Sequence, residues 1–79
     1  MNQLVTAEEW RKIPGFPPTY EVSSWGQVRS LGPMARGRTL KTHIHKFTGF
    51  PQVRIYKDRQ RQWWPVHELV SAAFPEEES

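Results

Sequence analysis

Hydrophobic and polar positions alternate with period two through the middle of the chain and shift to a helical period near its end. Tyr20 to Ser23 and Gln27 to Leu31 are short alternating runs on either side of Ser24-Trp25-Gly26. That spacing predicts a hairpin with a three-residue loop and Gly26 in the left-handed conformation. Tyr20, Val22 and Val28 then face a core, and Glu21 and Arg29 face away from it. Arg38 to His45 alternates more loosely and predicts a strand, with Leu40, Thr42 and Ile44 on one face and Lys41, His43 and His45 on the other. Pro51 to Lys57 is a clearer strand in which Gln52, Arg54 and Tyr56 oppose Val53 and Ile55, and Lys57-Asp58-Arg59-Gln60 is polar enough for the turn back into Arg61 to Trp64. Trp63 and Trp64 are adjacent in that strand, so their rings leave on opposite faces. From Val66 the apolar positions fall at Val66, Leu69, Val70, Ala73 and Phe74. This is one stripe of a short helix that opens near Pro65 and stops at Pro75, with Glu68, Ser71 and Ala72 outward.

Three segments carry no such period. Met1 to Glu9 is a lead-in, where Thr6 to Glu9 fits a capping box and predicts a helical turn ended by Pro14 and Gly15. Gly32 to Gly37 reads as a loop and the hinge of the chain. Glu76 to Ser79, after Pro75, is an acidic tail. The expected fold is α+β, a small single domain of two antiparallel β-hairpins, separate or merged into one sheet, packed with one short C-terminal helix.

Size and composition narrow the chemistry. A chain of 79 residues forms one small domain, and domains of that size bury only about 60% of the unfolded surface. With no cysteine, disulfides, thiolate metal sites and cysteine nucleophiles are all excluded, and a reducing, cytoplasmic setting is the expectation. No apolar run approaches the roughly 20 residues that span a bilayer, and the N-terminus lacks a signal-peptide pattern. All 11 basic residues lie between Arg11 and Arg61, opposed there by Glu21 and Asp58 alone. A body that basic concentrates a polyanion around it, although the same charge serves solubility.

The order of residues from Trp10 to Leu31 sharpens that reading. It contains W-x-x-I-x-G-[FY] followed by Y-E-V-S-x-x-G-x-V-[RY]-S. This resembles the nuclease-associated modular domain, the NUMOD class, found at the front of phage and mobile-intron HNH homing endonucleases. A second block, Gly49 to Phe74, resembles the stretch that follows in those proteins, with Val66 to Phe74 matching V-H-x-L-V-x-x-x-F. The resemblance divides the chain into a lead-in at 1–9, a NUMOD-like hairpin module at 10–31 and a loop at 32–37. A strand, second hairpin and helix like the start of an HNH domain follow at 38–74, with an acidic tail at 75–79. It implies that the first hairpin belongs to a DNA-engaging region, with Arg29 in the basic or polar slot after the second valine. Three departures stand out: Pro17-Pro18 widens the approach to Tyr20, Trp25 is large for the turn, and Glu68 replaces a residue that is often basic.

The DNA-binding candidates are Arg29, Arg36, Arg38, Lys41 and Lys46, followed by Arg54, Lys57, Arg59 and Arg61 around the second hairpin. A two-stranded ribbon fits a major groove, and arginine there bonds phosphate or a guanine edge, whereas lysine acts mainly as a point charge. Trp25, Trp63 and Trp64 are the interface candidates. His43, His45 and His67 invite a metal reading, but no cysteine and a single aspartate make a four-ligand site an unfavourable one, and no metal or cofactor is expected. Beyond Phe74 the chain offers Pro75, three glutamates and Ser79, where an HNH site needs a histidine base and metal ligands. The expectation is a non-catalytic, phage-type DNA-binding protein derived from an HNH homing endonuclease, with no membrane partner. The alternatives are a module that binds a host or phage protein through its tryptophan and basic surface, and half of a split nuclease. A half-exposed tryptophan also allows a homodimer.

Overall fold

The computed structural model describes residues 7–32 and 37–77. Seven strands, β1 (Trp10–Lys12), β2 (Tyr20–Ser23), β3 (Val28–Ser30), β4 (Arg38–Thr39), β5 (His43–Ile44), β6 (Pro51–Lys57) and β7 (Gln60–Pro65), precede a helix, α1 (Val66–Ala73), and a 3-10 turn at Pro75–Glu77. They form two antiparallel sheets, β1-β2-β3-β4 and β5-β6-β7. The α+β class stands, and each predicted hairpin is part of a larger sheet, β2–β3 flanked on both sides and β6–β7 on one. The two do not merge.

The first hairpin pairs Tyr20 with Ser30, Glu21 with Arg29 and Val22 with Val28. Its turn is fixed by Ser23. The backbone N–H of Ser23 donates to Gln27 O at 2.7 Å, and Ser23 Oγ accepts from the N–H groups of Trp25 and Gln27, each at 3.1 Å. Gly26 has φ 85, a conformation open to glycine at little steric cost. The second hairpin turns through Asp58 and Arg59 with φ 54 and 64, the double left-handed geometry of a type I′ turn.

Both sheets lean on α1. Its stripe of Val66, Leu69, Ala73 and the following Phe74 is buried with Ile13, Val22 and Val28 from the first sheet region and Val53 and Ile55 from the second. Each fully buried large apolar side chain contributes roughly 1.5–3 kcal/mol. Pro65 starts the helix without a side-chain cap, Glu68 supplies first-turn negative charge, and the Phe74 N–H closes the last turn onto Val70 O. No described helix is long and apolar enough to cross a membrane.

Three expectations change. The helical turn expected at Thr6–Glu9 falls partly outside the described residues, and Glu8 and Glu9 are not helical. In its place the chain enters as β1, with Trp10 opposite Ser23 and Glu9 accepting Ser24 N–H at its carbonyl. The single strand expected over Arg38–His45 is two short strands in different sheets, because β4 pairs with β3 and β5 with β6. Leu40 turns inward at the crossing, its N–H bonded to Val28 O at 2.7 Å, while Ile44 is left 66% exposed. Finally, Lys57, expected at an open tip, lies against aromatic rings, as described next.

Candidate nucleic-acid interface

The outward face of the first sheet is closed upon itself. Glu21 and Arg29 sit directly across the β2–β3 ladder, and Arg29 donates from Nε and Nη2 to the same Glu21 oxygen at 3.0 and 2.7 Å. The Arg29 guanidinium lies 4.0 Å from the centre of the Trp10 ring, and Lys12 Nζ stands 3.3 Å from the other Glu21 oxygen. The hydrogen bond from Arg29 holds the Glu21 carboxyl below its ordinary range, against the opposing effect of burial and with help from Lys12. Trp10 is the partner that sequence reasoning missed, since the ring stacks on Arg29 only when β1 is a strand.

The second sheet presents a different outer face. Register places Arg54 opposite Trp63, Tyr56 opposite Arg61, and His43 opposite Gln52, with Val53, Ile55 and Trp64 on the reverse side. Trp63 is 45% exposed, with the His43 ring edge-on at 5.2 Å and the Arg54 guanidinium 5.8 Å from its centre. Leu40, Lys41, His43, Gln52, Arg54 and Trp63 line an open groove. A smaller hollow continues along Tyr20, Arg54, Tyr56 and Arg61. The Tyr20 hydroxyl accepts the Tyr56 backbone N–H at 3.1 Å, which satisfies a donor on the stretch of β6 that runs beyond β5 and ties the two sheets together.

The sequence candidates separate on this geometry. Arg54, Arg61 and Lys41 gather on the second sheet's outer face and its border, and Arg38 and Lys46 are exposed on β4 and in the β5–β6 loop. Arg59 is exposed at the turn of the second hairpin. Arg38, Lys41, Lys46, Arg54, Arg59 and Arg61 have no carboxylate partner among the described residues. Arg29 does, and Lys57 packs its ammonium 4.8 Å from the Phe16 ring centre and 5.5 Å from that of Trp64. Arg36 lies outside the described residues. Trp64 joins the core edge-on to Phe16 at 4.9 Å, its indole N–H buried without a partner among the described residues. Trp25 stands at the first turn, 61% exposed.

The three histidines do not converge. His43 meets Trp63, His45 caps the loop that follows it, and His67 rests edge-on to Phe50 at 4.9 Å. Among the described residues no group of three His, Asp or Glu side chains is placed to hold a metal ion.

Comparison with known proteins places this geometry. The NUMOD4 motif matches residues 8–56, which run from the lead into β1 through most of β6. The chain belongs to the NUMOD4 family. Its sequence is 35% identical over 68 residues to the DNA endonuclease I-HmuI of Bacillus phage SP01, an alignment covering 86% of this chain and 37% of that protein. The solved structure of that HNH homing endonuclease, described as showing DNA binding and cleavage, superposes with a TM-score of 0.66 over 80% of this chain and 34% of the other. This NUMOD4 chain therefore spans about a third of the length of its relative.

Proposed function

We propose that this NUMOD4 chain is a DNA-binding module that seats the backbone of duplex DNA against the open face of its second sheet and does not itself cut. The observation that carries the reading is the row of cations beside Trp63 that have no carboxylate partner among the described residues: Lys41, Arg54 and Arg61, with Arg38 and Lys46 nearby in sequence. Arginine forks bond phosphate oxygens in pairs, and an exposed indole supplies contact area at small entropic cost. The similarity to a phage DNA endonuclease supports nucleic acid as the polyanion. Arg29 takes a lesser role than its place in the motif implies, because a contact with phosphate would compete with Glu21.

Fluorescence anisotropy with random-sequence duplex DNA at low and physiological salt tests the proposal. Binding should weaken steeply with salt as condensed counterions are released, with a log–log slope of about −0.9 for each phosphate neutralised. Binding insensitive to salt contradicts it. Nicking of plasmid DNA by the purified chain in magnesium would contradict the second clause. Trp25, exposed at the turn of the first sheet, favours a separate reading in which that side docks a protein partner. Loss of a partner with DNA binding intact in Trp25→Ala would support it.

A further inference from the structure

The loop from His45 to Phe50 is tightly built around a side chain that touches almost nothing. His45 N–H donates to Phe50 O, and Gly49 N–H donates to His45 O, both at 2.9 Å. His45 Nδ1 accepts the backbone N–H groups of Phe47 and Thr48 at 3.1 and 3.2 Å, and Thr48 Oγ1 accepts that of Phe50 at 3.2 Å. Gly49 completes the turn with φ 78. Every one of these bonds orders the backbone, yet Phe47 at the apex is 88% exposed, more than any other large apolar side chain described. Its ring contributes nothing to the core. Among the described residues its one aromatic neighbour is His45, with ring centres 6.0 Å apart.

The charge around the loop selects what such a ring would enter. Lys46 stands beside Phe47 without a carboxylate partner among the described residues, and no acidic residue occurs in the sequence between Glu21 and Asp58. Glu68 lines a hollow with His45, Thr48, Phe50 and His67, and neither Lys46 nor Phe47 is among the residues that line it.

We infer that Phe47 is an apolar wedge that enters a base step of duplex DNA while Lys46 meets the adjoining phosphate. Wedges of this kind partly unstack the step they enter, a cost of a few kcal/mol that is offset by the additional contact a bent duplex makes. A loop already fixed by its own hydrogen bonds loses little further entropy on insertion. The inference rests on the DNA-binding reading above and adds a deformation that phosphate contact alone does not produce.

The test is helical unwinding. Relaxed, closed circular plasmid is treated with a type I topoisomerase in the presence of the protein, and the linking number is read after protein removal. Duplex binding of each variant is followed in parallel by anisotropy. The unmodified chain should shift the linking number, Phe47→Ala should lose the shift while retaining salt-dependent binding, and Phe47→Leu should retain it. His45→Ala, which removes the acceptor that shapes the loop, should diminish the shift with Phe47 present. Binding without any shift, or an equal shift in Phe47→Ala, overturns the wedge and leaves the DNA-binding reading intact. Absence of duplex binding by the unmodified chain overturns both.

Discussion

The two sheets begin from the same kind of sequence, alternating strands with cationic residues on the outward positions, and end with opposite surfaces. In the first sheet the residue across the ladder from Arg29 is Glu21, and the aromatic beside it is Trp10, so charge and ring are consumed internally. In the second, the residue across from Arg54 is Trp63 and the one across from Arg61 is Tyr56. Neither partner can neutralise a guanidinium. The cross-strand neighbour, more than the presence of an arginine, decides whether a cation stabilises the fold or is available to a ligand.

The comparison assumes one core beneath two surfaces, and the largest expected effect tests that assumption. Phe74 is fully buried at the end of α1, where both sheets pack. Phe74→Ala should cost about 3–5 kcal/mol. Circular dichroism should show one cooperative transition at lower temperature, whereas two separate transitions would mean that each sheet holds its own core.

Next in size are the arginines. The Arg54→Ala/Arg61→Ala pair should weaken duplex binding by roughly tenfold per arginine, with melting temperature nearly unchanged. Arg29→Ala should do the reverse. It should lower stability by about 1 kcal/mol through loss of a charge-assisted hydrogen bond and leave binding within a few-fold of the parent.

A smaller effect is pH-dependent. The Glu21 carboxyl is lowered in the folded state by Arg29 and then Lys12, so its contribution is fully present above the unfolded carboxylate range, about 4.3, and is lost as pH falls through the lowered folded value. Glu21→Gln should flatten part of the acid limb of a stability-against-pH curve. Glu76, lowered by its hydrogen bond from Arg11, should leave a residual acid dependence of the same sign in that variant. An acid limb unchanged in Glu21→Gln would break the account of the first sheet.

The smallest effect concerns the second turn. Arg59 holds φ 64, a conformation that costs a non-glycine residue about 1 kcal/mol. Arg59→Gly should raise stability by up to that amount while removing one cation, so a more stable protein with slightly weaker binding is expected. A drop in stability would show that the turn is not strained.

Period and turn chemistry made much of this fold legible. Gly26 at a three-residue loop, the Val53/Ile55 face, the opposed rings of Trp63 and Trp64, and the stripe of α1 all follow from spacing. The strand at Trp10–Lys12 did not, because three residues carry no period and the Thr6–Glu9 pattern competes for the same stretch. Leu40 and Ile44 share an alternation and separate in space, since the chain leaves one sheet for another between them. Among the candidate cations, local sequence assigned type but not partner. Glu21 is eight residues from Arg29, while Phe16, which accepts the Lys57 ammonium on its face, is far off in sequence.

The most direct test of the central claim compares the salt dependence of duplex binding for the parent, Arg29→Ala and Arg54→Ala/Arg61→Ala by fluorescence anisotropy. The account predicts that the pair reduces the log–log slope by about two phosphate contacts and that Arg29→Ala leaves it unchanged. A slope reduced by Arg29→Ala and unaltered in the pair would move the interface to the first sheet and contradict the account.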